Sequence, residues 1–163
     1  LTTAHGDRDE MMRQCLDNNF DIGIITASNR KLTDICNGDK PREPWMSELL
    51  CKQFNNKGPR LYNSATVVAG NTVFPSNYPI GKDHGYIKGF DMKYGRDSFY
   101  KDIQDKCVVL FDDQQPVLDG VRNFNPNFQT QYINNDSKSS DKKLNISTIK
   151  TKIDEMKANG CES

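Results

Sequence analysis

Much is missing from this chain, and each absence removes a class of function. No apolar run approaches the ~18 residues that mark a membrane-spanning helix, so no membrane is expected as a partner. Lysine plus arginine number 22 and aspartate plus glutamate also number 22, so the net charge is zero. No excess positive charge is left for broad binding to nucleic acid or anionic lipid, and no nucleic-acid partner is expected. The five cysteines (Cys15, Cys36, Cys51, Cys107 and Cys161) are scattered, without any Cys-x-x-Cys spacing. That leaves no zinc pattern, and the odd, unspaced set reads as reduced structural thiols in a cytoplasmic protein. No Gly-rich phosphate loop follows any apolar run, which disfavours a generic nucleotide binder. The only histidines are His5 and His84, and no Ser or Cys at a clear spacing completes a triad with either. Ser28 and Lys31 have the spacing of a serine–lysine hydrolase, but the companion signatures of that class are absent.

What is present fits one polar α/β domain. The 163 residues suffice for a core without covalent staples, and a mean hydropathy of −0.77 predicts polar surface and loops. Residues 7–19 have a helical pattern, with acids in the first turn and Asn18-Asn19 ending it. Residues 20–27 (FDIGIITA) are short, apolar and Ile-rich, as in a buried parallel strand. A short helix over 31–36 and an amphipathic helix over 45–55 follow. Residues 60–87 suggest a small insert, β-prone at first and then broken by Pro and Gly. A helix is expected over 91–104, a strand over 107–111 and a further, edge strand over 128–133. Residues 134–146 form a polar linker. Residues 147–160 form a terminal helix, with Ser147 as N-cap and Gly160 as C-cap. This alternation implies a parallel sheet with helices on both faces.

Residues 107–121 carry the most chemistry. An apolar run, Cys107 to Phe111, delivers two adjacent acids, Asp112 and Asp113, to a strand end, and Asp119 follows. Two neighbouring carboxylates repel each other, so holding both there requires a cation or a set of donors. Hard oxygen ligands of this kind suit Mg²⁺. A β-turn or a helix N-cap is the alternative, because Asp favours both.

Two segments resemble motifs of the haloacid dehalogenase (HAD) superfamily, in particular its phosphohydrolases. One is the apolar strand that ends in Thr26. The other is Leu110-Phe111-Asp112-Asp113, a strand ending in paired acids. The opening Leu1-Thr2-Thr3-Ala4-His5-Gly6 looks like the tail of the family's first motif, Asp-x-Asp-x-Thr. A first residue that is Leu rather than Met reads as a processed, trimmed or incomplete start. The resemblance covers roughly residues 1–133. It implies a Rossmann-like (HAD-like) sheet with its first strand truncated and a small insert at about 60–87.

It further implies Mg²⁺-dependent phosphoryl transfer through an aspartyl-phosphate, with the nucleophile upstream of Leu1. The substrate would be a phosphorylated small molecule or a phosphoprotein. Thr26 would hydrogen-bond the phosphoryl group, Ser28 and Asn29 would orient its loop, and Asp112 and Asp113 would hold the metal. Lys88, in a loop ahead of the 91–104 helix, would neutralise the phosphoryl charge, with Lys82 and Lys93 as competitors. The alternative is a catalytically inactive HAD-like domain that binds or regulates a partner.

Overall fold

The computed structural model describes residues 8–20, 24–26, 32–42, 48–49, 51–52, 61–63, 79, 81–99, 102–133 and 139–161. They belong to two compact units. One comprises residues 1–23, 31–60 and 133–163, and the other residues 24–30 and 61–132.

In the first unit, α1 (Arg8–Asp17) packs against the last helix, α5 (Ser139–Ala158). Asn19 ends α1 in the left-handed conformation (φ 61°), and the Phe20 N–H reaches back to the Cys15 carbonyl. Ile149, Ile153 and Met156 recur along one stripe of α5 and are all buried. Lys157 donates to Asn18 Oδ1 at 3.0 Å. Gly160 (φ 83°) closes α5 as a C-cap, with Cys161 N–H bonded to the Met156 carbonyl. The other end differs from the sequence reading. The helix starts at Ser139, so residues assigned to a linker are helical, and Ser147 lies inside it. The Ser147 carbonyl there accepts the Thr151 hydroxyl at 3.0 Å. The Ser/Lys/Asp-rich start has no apolar stripe to announce it, although each Lys tolerates helix well.

A short helix, α2 (Leu32–Ile35), runs into a two-stranded antiparallel ribbon of β2 (Cys36–Asn37) and β3 (Lys40–Pro41). Cys36 is bonded to Cys51, and Cys107 and Cys161 are disulfide-bonded as well; among the described residues Cys15 is the free thiol. This corrects the expectation of five reduced cysteines. Spacing in sequence says nothing about Cα–Cα separation, here 5.7 Å for Cys36 and Cys51. The cytoplasmic expectation rested on reduced thiols and loses that premise. Among the described residues no helix is long and apolar enough to cross a membrane.

The second unit holds β1 (Ile24–Thr26), paired in parallel with β4 (Leu61–Asn63), and the helix α3 (His84–Phe99). It also holds a β–α–β unit of β5 (Val109–Asp112), α4 (Gln115–Phe124) and β6 (Gln129–Tyr132), with β5 and β6 parallel. Parallel strands need a crossover, and α4 supplies it. Val117, Leu118 and Val121 bury its inner face. Met92, Val121 and Phe128 form the core, with Ile25, Val108 and Leu110 packed on it. Phe124 is the aromatic hub, edge-on to Tyr86 and Phe90 and stacked on Phe128.

α3 begins seven residues before the start read from sequence, at 84 rather than 91. Gly85 and Gly89 read as loop residues, but here they let α3 approach α4. A Cβ on Gly85 would lie 2.4 Å from the Val117 carbonyl oxygen, and one on Gly120 would lie 2.7 Å from Gly85 Cα. The backbones touch where two glycines meet.

Candidate functional site

β5 stops at Asp112 for a local reason. Val109 to Phe111 are apolar residues suited to a pleated, half-buried surface, and Asp is a poor strand former. Asp112 Oδ1 accepts the Gln114 backbone N–H at 2.9 Å. That bond turns the chain toward α4, whose N-cap is Gln114 and whose first turn holds Pro116. The turn reading of the acid pair therefore holds for one oxygen of Asp112.

The other oxygen meets a cation. Lys88 Nζ donates to Asp112 Oδ2 at 2.9 Å, and the two side chains are only 12% and 11% exposed. The lysine arrives there because α3 starts early. Asp83 Oδ1 accepts the Tyr86 N–H at 2.8 Å, and the Asp83 carbonyl accepts the Ile87 N–H. This N-cap fixes the first turn and brings Lys88 in on the next. Gly85, Ile87, Gly89, Asp91 and Met92 are buried around it, so the helix is enclosed on most sides at Lys88. A lysine in such a setting is not an ordinary solvated surface group. Lys88 was expected in a loop, and the structure corrects this to a helix.

The remaining candidates divide plainly. Asp113 is half-buried and has no hydrogen-bond or ion-pair partner among the described residues. Thr26 is the last residue of β1, whose neighbour Ile25 packs on the same core as Leu110 of β5. Ser28, Asn29 and His5 lie outside the described residues. Lys82 is exposed, 5.6 Å from the Tyr86 ring centroid, and Lys93 is exposed beyond the enclosed part of α3. Asp119 is exposed and accepts the Gln115 side-chain amide at 2.9 Å, within α4. His84 is exposed at the start of α3. The structure thus brings Lys88 to Asp112 and leaves Lys82 and Lys93 outside.

Sequence reasoning passed over Asp91, which is fully buried on α3 three residues beyond Lys88. Its signal was available: an acid at helical spacing between Ile87 and Met92, both apolar and inward. Among the described residues no group of three or more His, Cys, Asp or Glu side chains gathers as a metal site. Mg²⁺ takes one or two carboxylates and keeps waters in its other positions, so Asp112 and Asp113 are the residues that could hold it, although both Asp112 oxygens already accept a bond from the protein. Among the described residues the acid pair lacks the fuller protein shell that zinc or calcium takes.

The arrangement offers a cation anchored on Asp112, with Asp113 next in sequence, at the carboxyl end of a strand in a parallel pair. Ligands in open α/β sheets are bound at such ends. No family model matches the chain, and neither does any curated protein or solved structure.

Proposed function

We propose that this chain belongs to a Mg²⁺-dependent phosphohydrolase of the haloacid dehalogenase type, acting on a phosphomonoester. The observation that carries this is the 2.9 Å pair between Lys88 and Asp112. It joins, across 24 residues of sequence, the lysine and the strand-end acid that the resemblance had assigned to one site. A solvated lysine and a solvated turn acid had no need to meet.

In this reading Lys88 supplies positive charge for the phosphoryl oxygens, held in place by Asp112. Electrostatic stabilisation of this kind is the main demand of phosphoryl transfer. Asp113 and Asp112 would hold Mg²⁺, which would neutralise charge on the transferring group. The Thr26 hydroxyl would donate to a phosphoryl oxygen. A carboxylate in an Asp-x-Asp-x-Thr segment ahead of Leu1 would attack phosphorus as the ester P–O bond breaks, and the departing alkoxide would leave as the alcohol on taking a proton from water. Water would then cleave the aspartyl-phosphate, regenerating the carboxylate and releasing inorganic phosphate.

The test begins with the coding frame ahead of Leu1, which must supply that segment. The extended polypeptide is then assayed on p-nitrophenyl phosphate with and without Mg²⁺, without thiol reductant so that the disulfides stay intact. Hydrolysis should require Mg²⁺ and fall by at least about a hundredfold in Asp113→Asn and in Lys88→Ala. Hydrolysis that ignores Mg²⁺ or survives both substitutions ends the proposal. A frame with no aspartate in that position points instead to a binding or regulatory domain.

A further inference from the structure

Tyr132 stands beside the acid of the candidate site. β5 and β6 are parallel, and their register pairs Asp112 with Tyr132, the last residue of each strand. Residues paired across a ladder share a face of the sheet, with strands ~4.8 Å apart. The phenol therefore rises on the face that holds the Asp112 carboxylate, at the same end. Burial separates the two: Asp112 is 11% exposed at its side chain and Tyr132 is 46% exposed. Phe124, Phe128, Phe90 and Tyr86 spend their rings on one another, whereas Tyr132 is one of two exposed large hydrophobic residues among those described. The other, Tyr94, lies six residues beyond Lys88 on α3, off the face of that lysine. The Gln131 side-chain amide donates to the Tyr132 carbonyl at 3.0 Å, which tethers the backbone that aims the ring.

We infer that Tyr132 is a stacking platform for the group esterified to phosphate, and that the preferred ligand is a phosphomonoester bearing a planar ring. This rests on the phosphohydrolase reading, because the phosphate end needs Lys88 and Asp113. A phosphomonoester whose phosphate met Lys88 would carry its other substituent away from that cation, and an exposed ring one strand away is within reach of a planar group. An aliphatic alcohol offers that ring no flat face. Tyrosine suits the role because it presents a large, rigid contact at little entropic cost.

The experiment measures dissociation constants by calorimetry, in Mg²⁺, on the full chain. The probes are inorganic phosphate, glycerol phosphate, phenyl phosphate and adenosine monophosphate. The proteins are the wild type, Tyr132→Phe and Tyr132→Ala. Ring-bearing probes should bind about twofold to tenfold more tightly than glycerol phosphate, the range for one aromatic pair. Tyr132→Phe should keep that advantage and Tyr132→Ala should erase it, with inorganic phosphate unchanged in all three proteins. Phenyl phosphate against the nucleotide distinguishes an aryl from a nucleobase preference. Equal affinity for glycerol phosphate and both ring-bearing probes in the wild type overturns the inference and leaves the phosphate site standing. Failure of every probe to bind overturns the phosphohydrolase reading, and this inference with it.

Discussion

Removing Lys88 while keeping Asp112 leaves a carboxylate in a place made for a pair. At 2.9 Å and an effective dielectric of about 20, the attraction is ~6 kcal/mol before desolvation is subtracted. Breaking a fully buried pair costs about 3–5 kcal/mol, because the survivor stays desolvated. Here about a tenth of each side chain reaches water, and Asp112 keeps its bond from the Gln114 N–H. Lys88→Met should therefore cost about 3 kcal/mol, toward the lower end of that range. Asp112→Leu should cost a similar amount, somewhat eased because the long lysine stem can carry its ammonium toward water. The double variant Lys88→Met/Asp112→Leu buries no unpaired charge. It loses only the turn bond to Gln114, about 1 kcal/mol. With a urea slope of about 2 kcal/mol/M, the single variants shift the unfolding midpoint by roughly 1.5 M and the double by roughly 0.5 M. Strong positive coupling in this double-mutant cycle is the expected result. If the double variant is as unstable as the two singles added together, the charges are independently solvated and the enclosed pair is an incorrect account.

Three other perturbations follow from the geometry. Gly85→Ala drives a Cβ into backbone at 2.4 Å, so α3 and α4 must part, at about 2–3 kcal/mol in chemical denaturation; Gly160→Ala meets open space and costs only its left-handed backbone, about 1 kcal/mol. Cys36→Ser/Cys51→Ser opens a 15-residue loop, worth about 3 kcal/mol or roughly 6–12 °C in Tm; an unchanged Tm would show that the bond constrains nothing. Burial pushes the Cys15 thiol up from 9.0 to about 11. Iodoacetamide at pH 8 should therefore label it about a hundredfold more slowly than an exposed thiol, and a matched rate would refute the burial. Because the unfolded chain loses this proton first, stability should fall as pH rises from 9.0 to about 11 and level off above.

The sequence was legible where local rules and tertiary needs agreed. The strand before Asp112, the parallel β-strand ending in Thr26, the Asn19 and Gly160 caps and the docking stripe of α5 were all readable from apolar spacing and cap chemistry. The reading failed where a residue serves a distant partner. Gly85 and Gly89 resemble punctuation until α4 is seen against them, and so Lys88 was placed in a loop. Disulfide bonding at Cys36 and Cys51 depends on three-dimensional proximity that spacing does not encode. Asp91 is a different case: it was passed over although its helical spacing with the apolar, inward Ile87 and Met92 was readable.

The glycine crossing has one consequence beyond stability. Lys88 stands less than a turn from Gly85, on a helix whose position against α4 is set by main chain on main chain. No rotamer change at that crossing can slide one helix along the other. In the proposed phosphate site the backbone that carries the lysine would therefore be set when the polypeptide folds, not when an anion arrives, and little of the binding free energy would be lost to reshaping the receptor.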